Sequence, residues 1–117
     1  MPKMPGGFGG FNIQAMMKQV QKFAEDTKRV EGELAEERIE ASSGGGMVRA
    51  VVNGLAELIE VKIHPEVVDP QDVEMIEDLV TSAVREALER ASERRKERME
   101  ELTGGLGLPP GIGLPGF

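Results

Sequence analysis

The stretch from Met47 to Ile63 constrains the fold of this chain more than any other. Met47 to Val52 is rich in β-formers, Asn53-Gly54 is the dipeptide that type I′ turns favour, and Leu55 to Ile63 is a second β-rich run. A two-residue turn here pairs Val52 with Leu55, Ala50 with Glu57 and Val48 with Ile59, and Val61 and Ile63 continue the same face. That face is apolar apart from Glu57. The opposite face mixes Met47, Val51, Ala56 and Leu58 with Arg49, Glu60, Lys62 and His64, which is too apolar for open water. The pattern predicts that a second copy covers it, with Met47, Val51 and Leu58 in a homodimer interface.

Long amphipathic segments flank the hairpin. Ile13, Met16, Val20, Phe23, Val30 and Leu34 are spaced by three and four, with Thr27 in the one gap, which predicts a helix over about residues 12–36 with Asn12 as its N-cap. Period-two patterning follows at Arg38-Ile39-Glu40-Ala41, a short strand ended by the turn-forming run Ser42 to Gly46. After His64-Pro65, Asp69-Pro70 with Asp72 and Glu74 reads as the start of a second helix, its acids facing the positive end of the helix dipole. Its apolar stripe runs from Val73 through Ile76, Leu79, Val80, Ala83, Val84, Ala87 and Leu88 to Ala91, gives way to charge from Ser92 to Arg98, and stops at Gly104.

The expected fold is therefore α+β: helix, three-stranded antiparallel sheet, helix, with both long helices projecting as arms from a dimeric sheet region. One domain is expected over residues 1–103, with a Gly-rich start at 1–11 and a Gly/Pro-rich tail at 104–117 whose composition excludes helix and predicts mobility. A chain of 117 residues has little core of its own, which again favours association. It has no cysteine, so disulfides, thiolate chemistry and sulfur-ligated zinc are excluded, and a reducing cytoplasm fits. The start MPKMPGGFGGF resembles no export signal and no stretch approaches the ~20 apolar residues of a membrane span. Four Phe with no Tyr or Trp leave few stacking platforms for single-stranded ligands.

The residues GGGMVRAVVNGLAELIEVKIHPEVV, followed by VEMIEDLVTSAVREAL and a closing LPPGIGLPGF, resemble the YbaB/EbfC family over essentially the whole chain. The resemblance implies a bacterial nucleoid-associated protein, cytoplasmic and without enzyme activity. Such a protein dimerises through its sheet region, has a tweezer-like outline, and binds double-stranded DNA and alters its shape, with roles in nucleoid organisation, gene regulation and DNA protection. It carries no motif of fixed DNA-contacting residues onto numbered positions.

Other motifs read as structural. Gly44-Gly45-Gly46 lacks the Lys-Ser/Thr pair and the following helix of a phosphate loop. His64 has no nearby nucleophile or second ligand. Asp69, Asp72, Glu74, Glu77 and Asp78 lack calcium-loop spacing and suit a helix N-terminus. Met16 and Met17 fit packing or a deformable interface. No metal, cofactor or small-molecule substrate is expected.

A net charge of −7 argues against a nucleic-acid ligand unless the charge is unevenly placed. It is uneven: residues 1–24 hold three Lys and no acid, residues 85–98 six cations and four acids, and residues 66–78 six acids and no cation. If the first helix runs toward the sheet and the second away, the two basic segments meet at the far ends of the arms, above an acidic waist. Lys18, Lys22, Arg90, Arg94, Arg95, Lys96 and Arg98 are the expected DNA-binding residues, although Glu86, Glu89, Glu93 and Glu97 can also pair with the arginines at four-residue spacing. The rival reading is a protein–protein interaction module that uses the arms and the apolar tail.

Overall fold

The computed structural model describes residues 12–105. Helix α1 spans Ile13–Glu36, strands β1, β2 and β3 span Ile39–Ser43, Val48–Val52 and Leu58–Ile63, and helix α2 spans Val73–Gly105. The strands form one antiparallel sheet in the order β1-β2-β3. The molecule is long and thin, 83 × 23 × 20 Å, because α1 and α2, about 36 and 50 Å long at ~1.5 Å per residue, run well past a sheet of short strands. The Gly-rich start and the tail from Leu106 lie outside the described residues, as does the expected mobility of that tail.

The helix starts follow side-chain chemistry. Asn12 Oδ1 accepts from Ala15 N–H at 3.1 Å and caps α1 as expected. At α2 the cap is Asp72, which accepts from Met75 N–H at 3.2 Å, while Asp69 accepts from Gln71 N–H in the turn before it. The helix thus starts three residues later than Pro70 suggests, because Asp69 and Pro70 form a turn of their own. His64 shapes the entry to Pro65 through Nδ1, which accepts from Glu66 N–H at 3.1 Å.

Small side chains set the core. Ala83, Ala87 and Ala91 recur every four residues on α2 and are fully buried against Ala41, Val48, Ala50 and Val52. Methyl-sized contacts let the helix lie close to the sheet, so bulk here strains its neighbours. Ser43 Oγ donates to Leu79 C=O at 2.6 Å and ties the end of β1 to the same helix. α2 lies across β1 and β2 and hardly reaches β3.

The β2–β3 connection departs from the expected two-residue turn. Val52 pairs with Leu58, Val51 with Glu60, Ala50 with Val61 and Val48 with Ile63, with a bulge that leaves Ile59 extra. Asn53–Glu57 is a loop, so Leu55, Ala56 and Glu57 are not in the strand. Neither Asn53 nor Gly54 takes the positive φ a type I′ turn requires; the left-handed residue is Ala56, at φ 63°. Asn53 has better partners. Its buried Oδ1 accepts from Leu55 N–H and Glu57 N–H, both at 3.0 Å, and its Nδ2 donates to Ala35 C=O and to Glu57 Oε1. Gly54 N–H donates to Leu34 C=O at 2.8 Å, and a Cβ on Gly54 would come within 2.9 Å of that oxygen and 2.8 Å of Leu34 Cβ. Glycine stands here for close approach to α1.

The register also redistributes the sheet faces. Directly paired residues share a face, so Leu58 lies with Val52, Val61 and Ile63 on the α2 side, not with Val51. The opposite face is more polar than the two-residue turn implies: Glu40 pairs with Arg49 at 3.3 Å and Lys62 with Glu60 at 3.8 Å around a half-buried Val51.

Asn53→Ala removes one buried acceptor for two N–H groups and is expected to destabilise the fold by about 2–3 kcal/mol, read as a lower urea midpoint at unchanged slope. Ala56→Gly is expected to shift that midpoint the other way, by no more than about 1 kcal/mol, since it relieves left-handed strain and adds backbone entropy to the unfolded chain.

Candidate nucleic-acid interface

α1 runs into the sheet and α2 runs out of it, so the two helices are antiparallel and touch only where they overlap. The contact is apolar at Val30, Leu34 and Met99, with Leu55 and Leu102 at its margin. A ladder of ion pairs follows the same overlap. Arg94 Nε donates to Glu37 Oε1 at 2.9 Å and its NH2 to Oε2 at 3.2 Å, a two-pronged arrangement that suits a planar guanidinium. Arg98 donates to Glu33 and also lies 3.6 Å from Glu37. Arg90 donates to Glu40 C=O at 2.6 Å and to Glu86 Oε1 at 3.0 Å. Three of the seven expected DNA-binding residues are therefore engaged within the protein itself.

The pairing leaves a mark on titration. Arg98, by its hydrogen bond, and then Arg29 hold the Glu33 carboxyl below its usual range against a smaller opposing effect of desolvation, and Glu37 holds the Arg94 guanidinium above its own.

The other expected residues stand apart from the ladder. Lys18, Lys22, Arg95 and Lys96 are exposed, and among the described residues no carboxylate lies within ion-pair distance of them. Lys28 and Arg85 are in the same condition, and both escape a reading that looks only for dense basic runs. Lys18 and Lys22 belong to a segment, residues 12–24, without a single acid.

The expected meeting of the two basic segments at the arm tip does not occur. Glu33 and Glu37 bring Arg98 and Arg94 back beside the inner half of α1, whereas Lys22 is eleven residues, about 16 Å of helix, further out than Glu33. The free cations are thus spread along the arm: Arg95 and Lys96 near its base, Lys28 midway, Lys22 and Lys18 outermost. The signal for the ladder was in the sequence, since Glu33 and Glu37 share the four-residue spacing of Arg94 and Arg98, but only the helix–helix register shows that these pairs face each other.

The acids of residues 66–78 lie in the α2 entry turn and first turns, at the opposite end of α2 from the arm. Among the described residues no group of His, Asp or Glu is arranged to hold a metal ion, and no helix is long and apolar enough to cross a membrane.

The sequence pattern of the YbaB/EbfC DNA-binding family matches residues 9–106. The chain belongs to that family. It is 50% identical over 105 residues to a nucleoid-associated protein of Thermoanaerobacter pseudethanolicus, covering 89% of this chain and 95% of the relative. It is likewise 50% identical over 109 residues to one of Acetivibrio thermocellus, covering 92% and 96%. The fold matches the crystal structure of an uncharacterized protein from Helicobacter pylori with a TM-score of 0.72 at 22% identity, over 80% of this chain and 98% of that one. The family is a DNA-binding one and not a class of enzymes.

Because the Glu33 pKa is lowered in the folded arm, its contribution to stability is present above the unfolded value and is lost as pH falls through the folded one. Amides in residues 25–36 are therefore expected to lose protection, measured against their intrinsic exchange rates, as pH falls through and below the ordinary carboxylate range, while those of β2 keep theirs. Hydrogen exchange across the carboxylate range reads both.

Proposed function

We propose that this protein is a nucleoid-associated protein that binds duplex DNA along its arms, chiefly through phosphates, with little reading of base sequence. The observation that carries this reading is the row of exposed cations at Lys18, Lys22, Lys28, Arg95 and Lys96, which have no carboxylate partner among the described residues, on an arm whose other arginines are paired with internal acids. Membership of a DNA-binding family and the nucleoid-associated relatives support it. The two described helices do not form the compact unit that presents a recognition helix to a major groove, so positioning contacts dominate and weak sequence preference follows. Net negative charge does not oppose such binding, since at cellular salt charges beyond about 8–10 Å are screened, and the acids of the α2 entry lie far down the molecule. Binding that bridges or bends the duplex would place the protein in the nucleoid, hence in the cytoplasm, and requires no catalytic group.

The protein acts as a homodimer in this proposal, and β3 is the surface that supports it. Leu58, Ile59 and Ile63 are 52%, 46% and 39% exposed on an edge strand that α2 leaves uncovered, and exposed apolar edges invite a partner. Met47 and Val51 are already half-buried, so of the three residues expected from the sequence Leu58 contributes most. Two copies joined there carry two arms, which touch a duplex at separated places.

Two measurements test this. Light scattering at micromolar protein is expected to give a dimer for the native chain and a monomer for Ile63→Asp, because a carboxylate without a partner is costly to bury; a native monomer rules the dimer out. In gel-shift titrations against salt, the fourfold variant Lys18→Ala, Lys22→Ala, Arg95→Ala, Lys96→Ala is expected to bind random and AT-rich duplexes more weakly alike. The slope of log affinity on log salt should flatten by about 0.9 for each phosphate that the variant no longer neutralises. Binding that is insensitive to salt, or weakening confined to one sequence, refutes the phosphate reading. Glu33→Gln with Glu37→Gln is expected to steepen the slope, since it releases Arg94 and Arg98.

A further inference from the structure

From Ile13 to Leu34 one face of α1 advances in alternating steps of three and four without a break, the a and d positions of a heptad repeat. A seam this narrow is the kind that packs against another helix. Its inner part does so: Val30 and Leu34 are covered by Met99 and Leu102 of α2. In the antiparallel register fixed by Glu33–Arg98 and Glu37–Arg94, α2 ends at Gly105, beside Asp26. Farther out, Ile13, Met16 and Val20 of the seam, with Met17 at its edge, are 60%, 45%, 64% and 58% exposed.

We propose that outer α1 pairs with outer α1 of a second copy, antiparallel, with Met16 of each against Val20 of the other. The second helix takes the lane that α2 vacates, on the same seam and in the same antiparallel sense, so the contact prolongs an interface that the fold already makes. Each copy gives and receives the same residues, and the contact closes on itself. The two sheets stay clear of one another, because bodies joined by antiparallel tips point in opposite directions.

Charge favours a copy of this chain over an unrelated helix. The positions that flank the outer seam, Asn12, Met17, Gln19 and Ala24, are all uncharged. Charges at such positions select a foreign partner, and like charges there repel a second copy; neither effect operates here. Lys18 and Lys22 fall at outward-facing positions of the same repeat, on the far side of α1, and stay open to solvent. Across the pair the lysines of the two copies stand more than one helix width apart, about 10 Å, which is roughly the screening length at cellular salt. Unbranched Met16 and Met17 adapt to the opposing face.

Outer α1 offers fewer than about two heptads, below the three to four that sustain a coiled coil alone. The contact is therefore weak in dilute solution and leaves the β3 dimer as the micromolar species. Its occupancy rises where arms are held close together. Resting on the function proposed above, that place is DNA, where neighbouring molecules join tip to tip and bind cooperatively.

The test begins without DNA, on the full chain labelled with ¹³C at the methionine methyl groups. The Met16 and Met17 signals are expected to shift as protein rises from about 10 µM to about 1 mM, the range that a near-millimolar contact spans, while that of buried Met99 stays in place. Val20→Asp, at an exposed position, is expected to abolish the shift, and Ile63→Asp to retain it, since β3 is a separate contact. Signals that ignore concentration, move equally in Val20→Asp, or stop moving in Ile63→Asp overturn the proposal. On a duplex long enough for several molecules, the native chain is expected to bind cooperatively and Val20→Asp to bind without cooperativity at the same salt slope; cooperativity unchanged in Val20→Asp overturns the joining of tips on DNA. A concentration-dependent shift in a chain that binds no duplex upholds the tip contact and defeats the DNA reading alone.

Discussion

The buried amide of Asn53 holds together the parts that would otherwise move independently. It sits where β2 ends, and its oxygen organises the following loop while its nitrogen reaches Ala35, at the end of α1. Gly54 adds a backbone hydrogen bond to Leu34 at a distance that only the absence of a side chain permits. These few contacts anchor the base of α1, fix the angle at which it leaves the sheet, and so decide that its inner half lies against α2. Without the anchor, the ion-pair ladder would have to orient a helix of 24 residues by exposed charge pairs alone, each worth only about 0–1 kcal/mol. The apolar contact of Val30, Leu34 and Met99 and the hydrogen bonds at the corner supply the positioning, and the charges then select the register.

Two consequences follow from the size of side chains. The alanine row on α2 brings the helix close enough to cover β1 and β2, but one helix about 10–12 Å across cannot also cover a third strand at a strand spacing of about 4.8 Å. The apolar residues of β3 are the remainder of that geometry. At the other end, α1 begins farther out than α2 ends, and its apolar face is again left over. Among the described residues, both exposed surfaces are what a narrow two-helix arm on a three-stranded sheet leaves uncovered.

Much of this architecture was legible in the residues. The spacing from Ile13 to Leu34 and the Asn12 cap gave α1 to within a residue, and the β-rich runs gave three antiparallel strands in order. The failures were local. Asn53-Gly54 is read as a tight turn because Asn and Gly tolerate positive φ, yet here Asn serves as a hydrogen-bonding hub and Gly as a gap for Leu34. Both uses depend on a helix distant in sequence, so no local pattern reveals them. The extra loop residues and the bulge at Ile59 then moved Leu58 to the other face. The internal pairing of the arginines was hidden for the same kind of reason: Arg94 and Arg98 look like a basic patch until α1 supplies Glu37 and Glu33.

Internal pairing of this kind reconciles an acidic composition with the proposed contacts to DNA. Composition counts every charge equally, whereas a phosphate meets only those not already neutralised. In the arm, Glu33 and Glu37 of inner α1 are spent on Arg98 and Arg94 of α2, which removes two cations and their partners from the field together and leaves lysines that form no ion pair among the described residues. Outer α1 needs no such cancellation, having no acid at all between residues 12 and 24. Under the proposed phosphate contacts lysine suits outer α1 better than arginine, since a mobile point charge follows a phosphate backbone without demanding a fixed geometry. The arginines, with their planar two-pronged geometry, are placed where geometry matters, between the helices.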